Sequence, residues 1–264
     1  MKDSIDFILV AYYRFEQVKV LVDSIVKYVK YPYDIYIVNN GDMSGVSELE
    51  HMFSEYDNVH IKFGVEQSKL NHSDIISGNY QKYRCKIDGR HVGIGSYTQA
   101  VAMDIGVRTS NSKYICYCDT DVVFLNQWGV DLIDELNDKV FVSHLWRHDI
   151  DMQPSAFCLL KRDTIENNYL NEKDDLYPNI DYKDTNGMLS LWARKVGLPF
   201  LILKNSFQDK SLKREHILNV SHGEQSWYNN IPILHHYGHG VQREDYKYDE
   251  WISETTKYLG LNYN

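Results

Sequence analysis

Two carboxylates separated by one residue, Asp119-Thr120-Asp121, follow directly on the apolar run Tyr114-Ile115-Cys116-Tyr117-Cys118. A short run of this kind reads as a buried strand, which delivers both acids at a strand end. Acids that close repel unless a cation lies between or beside them. Oxygen ligands of this kind suit Mg²⁺ or Mn²⁺, and such ions in turn bridge phosphate oxygens. An Asp-x-Asp also occurs in plain exposed turns. Here the chain returns at once to apolar residues, Val122-Val123-Phe124-Leu125, which favours the functional reading. A second concentration of chemistry is His235-His236-Tyr237-Gly238-His239, after the apolar Ile231-Pro232-Ile233-Leu234. Three histidines in five residues are not the pattern of a lone core histidine. Cys116 and Cys118 alternate onto one face of their strand with no second pair, so they read as core packing and not as a zinc site.

The elements that position these groups alternate between strand and helix. Ile5 to Val10 is a strand, and Val18, Leu21, Val22, Ile25, Val26 and Val29 recur at helical spacing. Ile35 to Val38 is a second strand that ends in the turn cluster Asn39-Asn40-Gly41-Asp42. A short helix is expected over Ser47 to Tyr56, with Ser47 and Glu50 at capping-box spacing. Val59 to Phe63 is a third strand, and Tyr97 to Val107 reads as a helix leading into the Tyr114 strand. Residues 65–95 are polar and aperiodic, as functional loops often are. Further strands are read at Phe141–Ser143, Ala156–Leu160 and Phe200–Leu203, and a helix from Asn186 to Val196 buries Met188, Leu189, Trp192 and Val196. The pattern predicts an α/β fold, a mostly parallel sheet covered by helices, with ligands beyond the carboxyl ends of the strands.

The 264 residues are 43% hydrophobic and 25% charged, which excludes disorder, collagen and coiled coil. No apolar run approaches the ~20 residues of a membrane span. The opening Met1 to Asp6 does not read as a secretory signal, so a cytoplasmic chain with reduced thiols is expected. The net charge of −9 disfavours a broad nucleic-acid clamp. The 21 tyrosines offer flat faces with polar tips, suited to sugars and bases and equally to an amphipathic core.

Taken in order, these segments resemble the nucleotide-sugar glycosyltransferases of the GT-A fold, in the style of the large inverting family that shares the Asp-x-Asp motif. Ile8-Leu9-Val10-Ala11-Tyr12-Tyr13-Arg14 is similar to that family's opening strand and turn, with Leu21 and Ser24 on the helix after it. Val38-Asn39-Asn40-Gly41 resembles the turn after the second strand. Ser96-Tyr97-Thr98-Gln99-Ala100 sits where the family enters the helix before its motif strand, and Tyr114 to Leu125 resembles that strand itself. The likeness spans roughly residues 5 to 125, with weaker echoes to 240.

The resemblance implies one Rossmann-like domain over 1–264, with a nucleotide-sugar half over 1–125 and an acceptor-side half with a C-terminal tail over 126–264. It implies metal-dependent transfer of a sugar from a nucleoside diphosphate to an acceptor hydroxyl, with inversion. Donor contacts are expected from Ala11, Tyr12, Arg14, Asn39, Arg90, Ser96, Asp119 and Thr120. Asn39 stands where members commonly carry an aspartate that helps hold the base, so an altered base preference is expected. Arg84, Lys86, Arg90 and His91 bring positive charge into the loop, either to grip the leaving diphosphate or simply to solvate the loop. Asp119 and Asp121 are expected to serve the metal, with a histidine of the C-terminal cluster completing the shell: His236 first, His239 second. Successive strand side chains oppose each other, so His235 and His236 do not share an ion. An imidazole in the set favours Mn²⁺ over Mg²⁺. Asp184, at the mouth of the Asn186–Val196 helix, is the expected base as well as a fitting helix cap; Asp181 is its competitor. His144, His148 and Trp146 are expected to line an acceptor pocket, with a core role the equal alternative for Trp146. Residues 65–95 and the Tyr-rich tail from Val241 are expected to fold over the donor. A non-catalytic glycan- or nucleotide-binding module is the alternative on the same fold. A nucleotidyltransferase is a weaker one, because Ala11-Tyr12-Tyr13-Arg14 is not a Gly-rich triphosphate loop. The acceptor is a glycan or other hydroxyl, with a hydroxymethylated base in viral DNA the alternative that charge disfavours.

Overall fold

The first strand, β1 (Lys2–Ala11), is buried from Ser4 to Leu9, which is what a near-continuous apolar run in the middle of a parallel sheet requires. The computed structural model describes residues 1–69, 94–144, 156–164, 197–238 and 246–261. From β1 the chain runs through α1 (Phe15–Tyr28), β2 (Val29–Lys30), β3 (Tyr33–Asn39), α2 (Met43–Met52) and β4 (Val59–Phe63). Then come α3 (Ile94–Thr109), β5 (Ser112–Cys118), β6 (Val122–Phe124), β7 (Trp128–Gly129), α4 (Val130–Glu135), β8 (Phe141–Ser143) and β9 (Phe157–Lys161). The last elements are β10 (Leu201–Ile202), β11 (Lys204–Asn205), β12 (Glu224–Tyr228), β13 (Ile231–His236) and α5 (Tyr246–Leu259).

Seven strands form the main sheet in the order β10-β8-β9-β5-β1-β3-β4. The β1–β3, β3–β4, β1–β5 and β8–β10 pairs are parallel, whereas β9 runs antiparallel to β5 and β8. Helices cover both faces. Phe7 and Leu9 pack with Val18, Leu21, Val22 and Ile25 of α1 on one side. Ile8 packs with Met103 and Val107 of α3 on the other. Gly106 permits that approach, since a Cβ there would come within 2.4 Å of Ile8 Cγ2. The sheet is thus mostly parallel and flanked by helices, as the alternating pattern predicts. No described helix is long and apolar enough to cross a membrane.

A second, antiparallel sheet, β11-β12-β13-β6, was not legible as such. It ties residues 231–236 directly to the segment after Asp121. Three expectations are corrected. The helix after β3 begins at Met43 and is capped by Asp42, whose carboxylate accepts from Gly45 N at 3.0 Å, so Ser47 and Glu50 form no capping box. The expected single strand Phe200–Leu203 is instead the short β10, followed by β11 in the other sheet. The described part of the tail is not an aperiodic lid. It is the helix α5, docked through the fully buried Trp251, with Lys27 Nζ donating to Leu259 O at 2.9 Å and Tyr258 OH to Leu125 O at 2.5 Å. The Asn186–Val196 helix lies outside the described residues, as does all but the first few and last two residues of the 65–95 stretch.

Candidate functional site

The parallel strands β1, β3 and β5 end at one edge, in Ala11, Asn39 and Cys118. Beyond β1, Tyr13 adopts φ +60 and its ring lies 4.5 Å from that of Tyr12. Arg14 caps α1, and its guanidinium sits over the Tyr248 ring at 4.4 Å. A cation–π contact of this kind orders the side chain and draws the tail helix to the same edge. Beyond β3, the Asn39 side chain is fully buried and committed to its own turn. Its Nδ2 donates to Asp42 O at 2.9 Å, and its Oδ1 accepts from Gly41 N at 3.0 Å. Asn39 therefore shapes the turn. Asn40 ties the turn to its surroundings, donating to Thr98 O at 2.9 Å and accepting from Val65 N at 3.1 Å.

Beyond β5, the Asp119 N–H donates to Ala156 O at 2.9 Å, so β9 holds the backbone of the turn. The Asp119 carboxylate accepts from Gln99 Nε2 of α3 at 2.7 Å. That helix also places Ser96, whose side chain lies outside the described set. Thr120 sits half-buried at the turn, and Asp121 is buried at its far end. β6 then pairs antiparallel with β13, with Val122 opposite His236. Tyr237 N donates to Asp121 O at 2.8 Å and closes this corner. As a result His236 Nε2 lies 3.4 Å from Asp121 Oδ1, and its Nδ1 lies 3.2 Å from Glu224 Oε2 of the neighbouring β12.

One ligand atom from each of Asp119, Asp121 and His236 falls within 4.8 Å of the others. Two carboxylates and an imidazole so gathered fit a divalent ion, with the nitrogen favouring Mn²⁺. Their electrostatics agree. Burial pushes the Asp121 carboxyl up, but the charge and contact of His236, aided by the backbone at Asp121 and Gly238, outweigh it and hold the acid below its usual value. Burial lowers His236, but Asp121 and Glu224 outweigh that and hold the imidazole well above its ordinary value. Without a metal, a proton on His236 balances the acids around it; a cation does the same work when His236 is neutral.

His235 points the other way. It is fully buried and its Nδ1 accepts from Trp251 Nε1 of α5 at 3.2 Å, so it packs while its neighbour faces the acids. His144 is also fully buried, with Nδ1 2.5 Å from Ser226 Oγ and its ring edge-on to His236. It lies inside the cluster. Asp184, Arg90, His239, Arg84, Lys86, His91, Asp181, Trp146 and His148 fall outside the described residues. Two site residues went unnoticed in the sequence, Gln99 and Glu224. The Asn229-Asn230 pair was the available signal for Glu224, since a two-residue hairpin turn there sets β12 against the histidine strand. Both asparagines indeed take positive φ, 49 and 63.

No protein-family model and no curated protein sequence matches the chain. Solved structures do. The chain is similar in fold to a glycosyltransferase. That structure, GlyE from Streptococcus pneumoniae TIGR4, aligns over 98% of this chain and 63% of its own, with TM-score 0.49 and 11% identity. S. aureus TarS 1-349 aligns over 72% of this chain and 53% of its own, with TM-score 0.43 and 11% identity. TarS 1-349 in complex with UDP aligns over 64% and 49%, with TM-score 0.39 and 10% identity. The chain thus spans between about half and under two thirds of the length of these proteins, and the chemistry of its site rests on its own residues.

Proposed function

We propose that this chain is a metal-dependent glycosyltransferase that moves a sugar from a nucleoside diphosphate sugar to an acceptor hydroxyl, with inversion. The observation that carries the reading is the convergence of Asp119, Asp121 and His236 at the edge where β1, β3 and β5 end. Asp119, Asp121 and His236 hold the ion, with His239 the second choice of histidine. A divalent cation bound there supplies positive charge to the departing diphosphate. Ala11, Tyr12, Arg14, Ser96, Thr120 and Arg90 line the donor side, and Arg14, held by Tyr248, places its cation near the same edge. Asn39, at the turn after β3, is a donor-side residue as well, and the neighbouring Tyr12 and Tyr13 rings offer apolar faces suited to a base.

In the transfer, the acceptor oxygen bonds to the anomeric carbon as the carbon–oxygen bond to the diphosphate breaks. Asp184 accepts the proton that the hydroxyl loses. A glycan or other hydroxyl compound is the acceptor, and the net charge of −9 argues against a nucleic acid. A cytoplasmic setting with reduced thiols is part of the same reading.

The deciding experiment is diphosphate release from a panel of nucleotide sugars, with and without Mn²⁺ and with an acceptor mixture. Release that requires both the ion and an acceptor supports a transferase. Metal-dependent donor binding with no turnover of any donor would assign the chain to the non-catalytic binders instead.

A further inference from the structure

His144 Nε2, Glu224 Oε2 and His236 Nδ1 are buried, and none of the three has a hydrogen-bond partner. They come together: one ligand atom from each of these residues lies within 4.8 Å of the others. Leaving a buried polar atom without a partner is costly, and three such residues in one cluster call for something that satisfies them together. The Glu224–His236 contact, 3.2 Å, is an ion-pair distance without hydrogen-bond alignment. Around a tetrahedral ion with bonds of about 2.0–2.2 Å, neighbouring ligand atoms stand roughly 3.3–3.6 Å apart, which is near that spacing.

We propose a second, inner cation site formed by His144, Glu224 and His236, which takes a transition-metal ion of the Zn²⁺ type. Two imidazoles and one carboxylate with a fourth position open are a zinc donor set, whereas Mg²⁺ and Ca²⁺ require mostly oxygen. The site is built from below. Ser226 Oγ at 2.5 Å from His144 Nδ1 receives that proton in the tautomer that leaves the Nε2 lone pair for a metal. Gly238 leaves room for the carboxylate, since a Cβ there would meet Glu224 Oε2 at 3.2 Å.

His236 faces both clusters, Nδ1 inward and Nε2 toward Asp121. A neutral imidazole has one lone pair. An ion on the inner set therefore turns Nε2–H toward Asp121 and leaves the donor's ion to the two aspartates and the diphosphate. The inner ion weakens the binding of the outer one, so the inner site regulates the outer. That coupling rests on the function proposed above, but the inner site itself does not.

The test is Zn²⁺ binding to the metal-free protein without nucleotide, by calorimetry, with Co²⁺ absorption to report tetrahedral nitrogen ligation. Wild type, Asp119→Asn and Asp121→Asn should each bind an inner ion and show the tetrahedral Co²⁺ bands. Glu224→Gln, which preserves shape, should bind Zn²⁺ at least tenfold more weakly and lose the bands. His144→Gln should do the same, with circular dichroism and thermal unfolding to confirm that it folds. Zn²⁺ affinity unchanged in Glu224→Gln overturns the proposal, as does binding abolished by Asp119→Asn alone. Zn²⁺ binding with no donor turnover would leave the inner site standing and count only against the transferase.

Discussion

His236 meets Asp121 because β13 is hydrogen-bonded to β6. Val122 faces His236 across that pair, and Tyr237 N donates to the Asp121 carbonyl at 2.8 Å. Backbone pairing thus brings the imidazole and carboxylate side by side, 3.4 Å apart. A site positioned by strands is held ready before any ion arrives, which is what tight, selective coordination needs.

Asp121→Ala removes the acid at the centre of this arrangement while leaving the backbone bond to Tyr237. Metal-dependent donor binding should be lost beyond the ~10–100-fold typical of outer-shell changes, with the fold intact. Mn²⁺ titration in the presence of donor measures it; donor affinity equal to wild type would remove Asp121 from the metal.

Asp184→Asn keeps a helix-capping side chain but cannot accept a proton. Transfer should fall by ~10²-fold or more with donor binding preserved. Wild-type turnover in this variant places the base elsewhere or points to retention of configuration, which the anomeric product then reports.

Arg162 and Asp6 form a buried ion pair at 3.0 Å, away from the strand-end site. Arg162 also donates to Ser112 O at 2.6 Å and Val107 O at 2.9 Å, which fastens the start of β5 to the end of α3. Arg162→Leu leaves the Asp6 charge buried without its partner and should destabilise the protein by about 3–5 kcal/mol. Adding Asp6→Asn should recover part of that loss. Denaturant unfolding of the single and double variants checks both, and a single variant as stable as wild type contradicts the account.

Burial, with His216, His236 and His222 around it, keeps the His235 imidazole well below its usual value. The folded protein holds it neutral, while the unfolded chain takes up a proton near pH ~6.5. Its contribution to stability is thus fully present above that pH and is lost as pH falls below it, by up to about 1.4 kcal/mol per pH unit. His235→Gln retains an acceptor for Trp251 and does not titrate. Urea unfolding of metal-free protein should therefore show a shallower loss of stability between pH 6.5 and 5 in this variant, and identical pH slopes would count against a buried neutral His235.

The alternating strand and helix pattern was decisive on its own for the parallel core. β1, β3, β4 and β5 are single runs whose burial follows from local composition, so Asp119-Thr120-Asp121 could be placed at a strand end without coordinates. Strand alternation likewise separated His235 from His236. Of the antiparallel sheet, only the β12–β13 hairpin has a local signal; the β13–β6 pairing that carries the histidines to Asp121 joins segments more than a hundred residues apart, which no local pattern reveals. Asn39 shows the same limit at one residue: the resemblance suggested a ligand contact at its position, and only the closed turn around it revealed that each end of the amide also makes a bond within the turn. The partner of His236 is the sharpest case. From the Asn229-Asn230 turn, Tyr228 pairs with Ile231 and Trp227 with Pro232, a register that continued unbroken would set Glu224 opposite His235. A shift between Ser226 and Trp227 moves the pairing by one residue and sets Glu224 opposite His236. A one-residue slip exchanges the two faces of a strand, so tertiary packing, which buries His235 against Trp251, decides which histidine joins the acids.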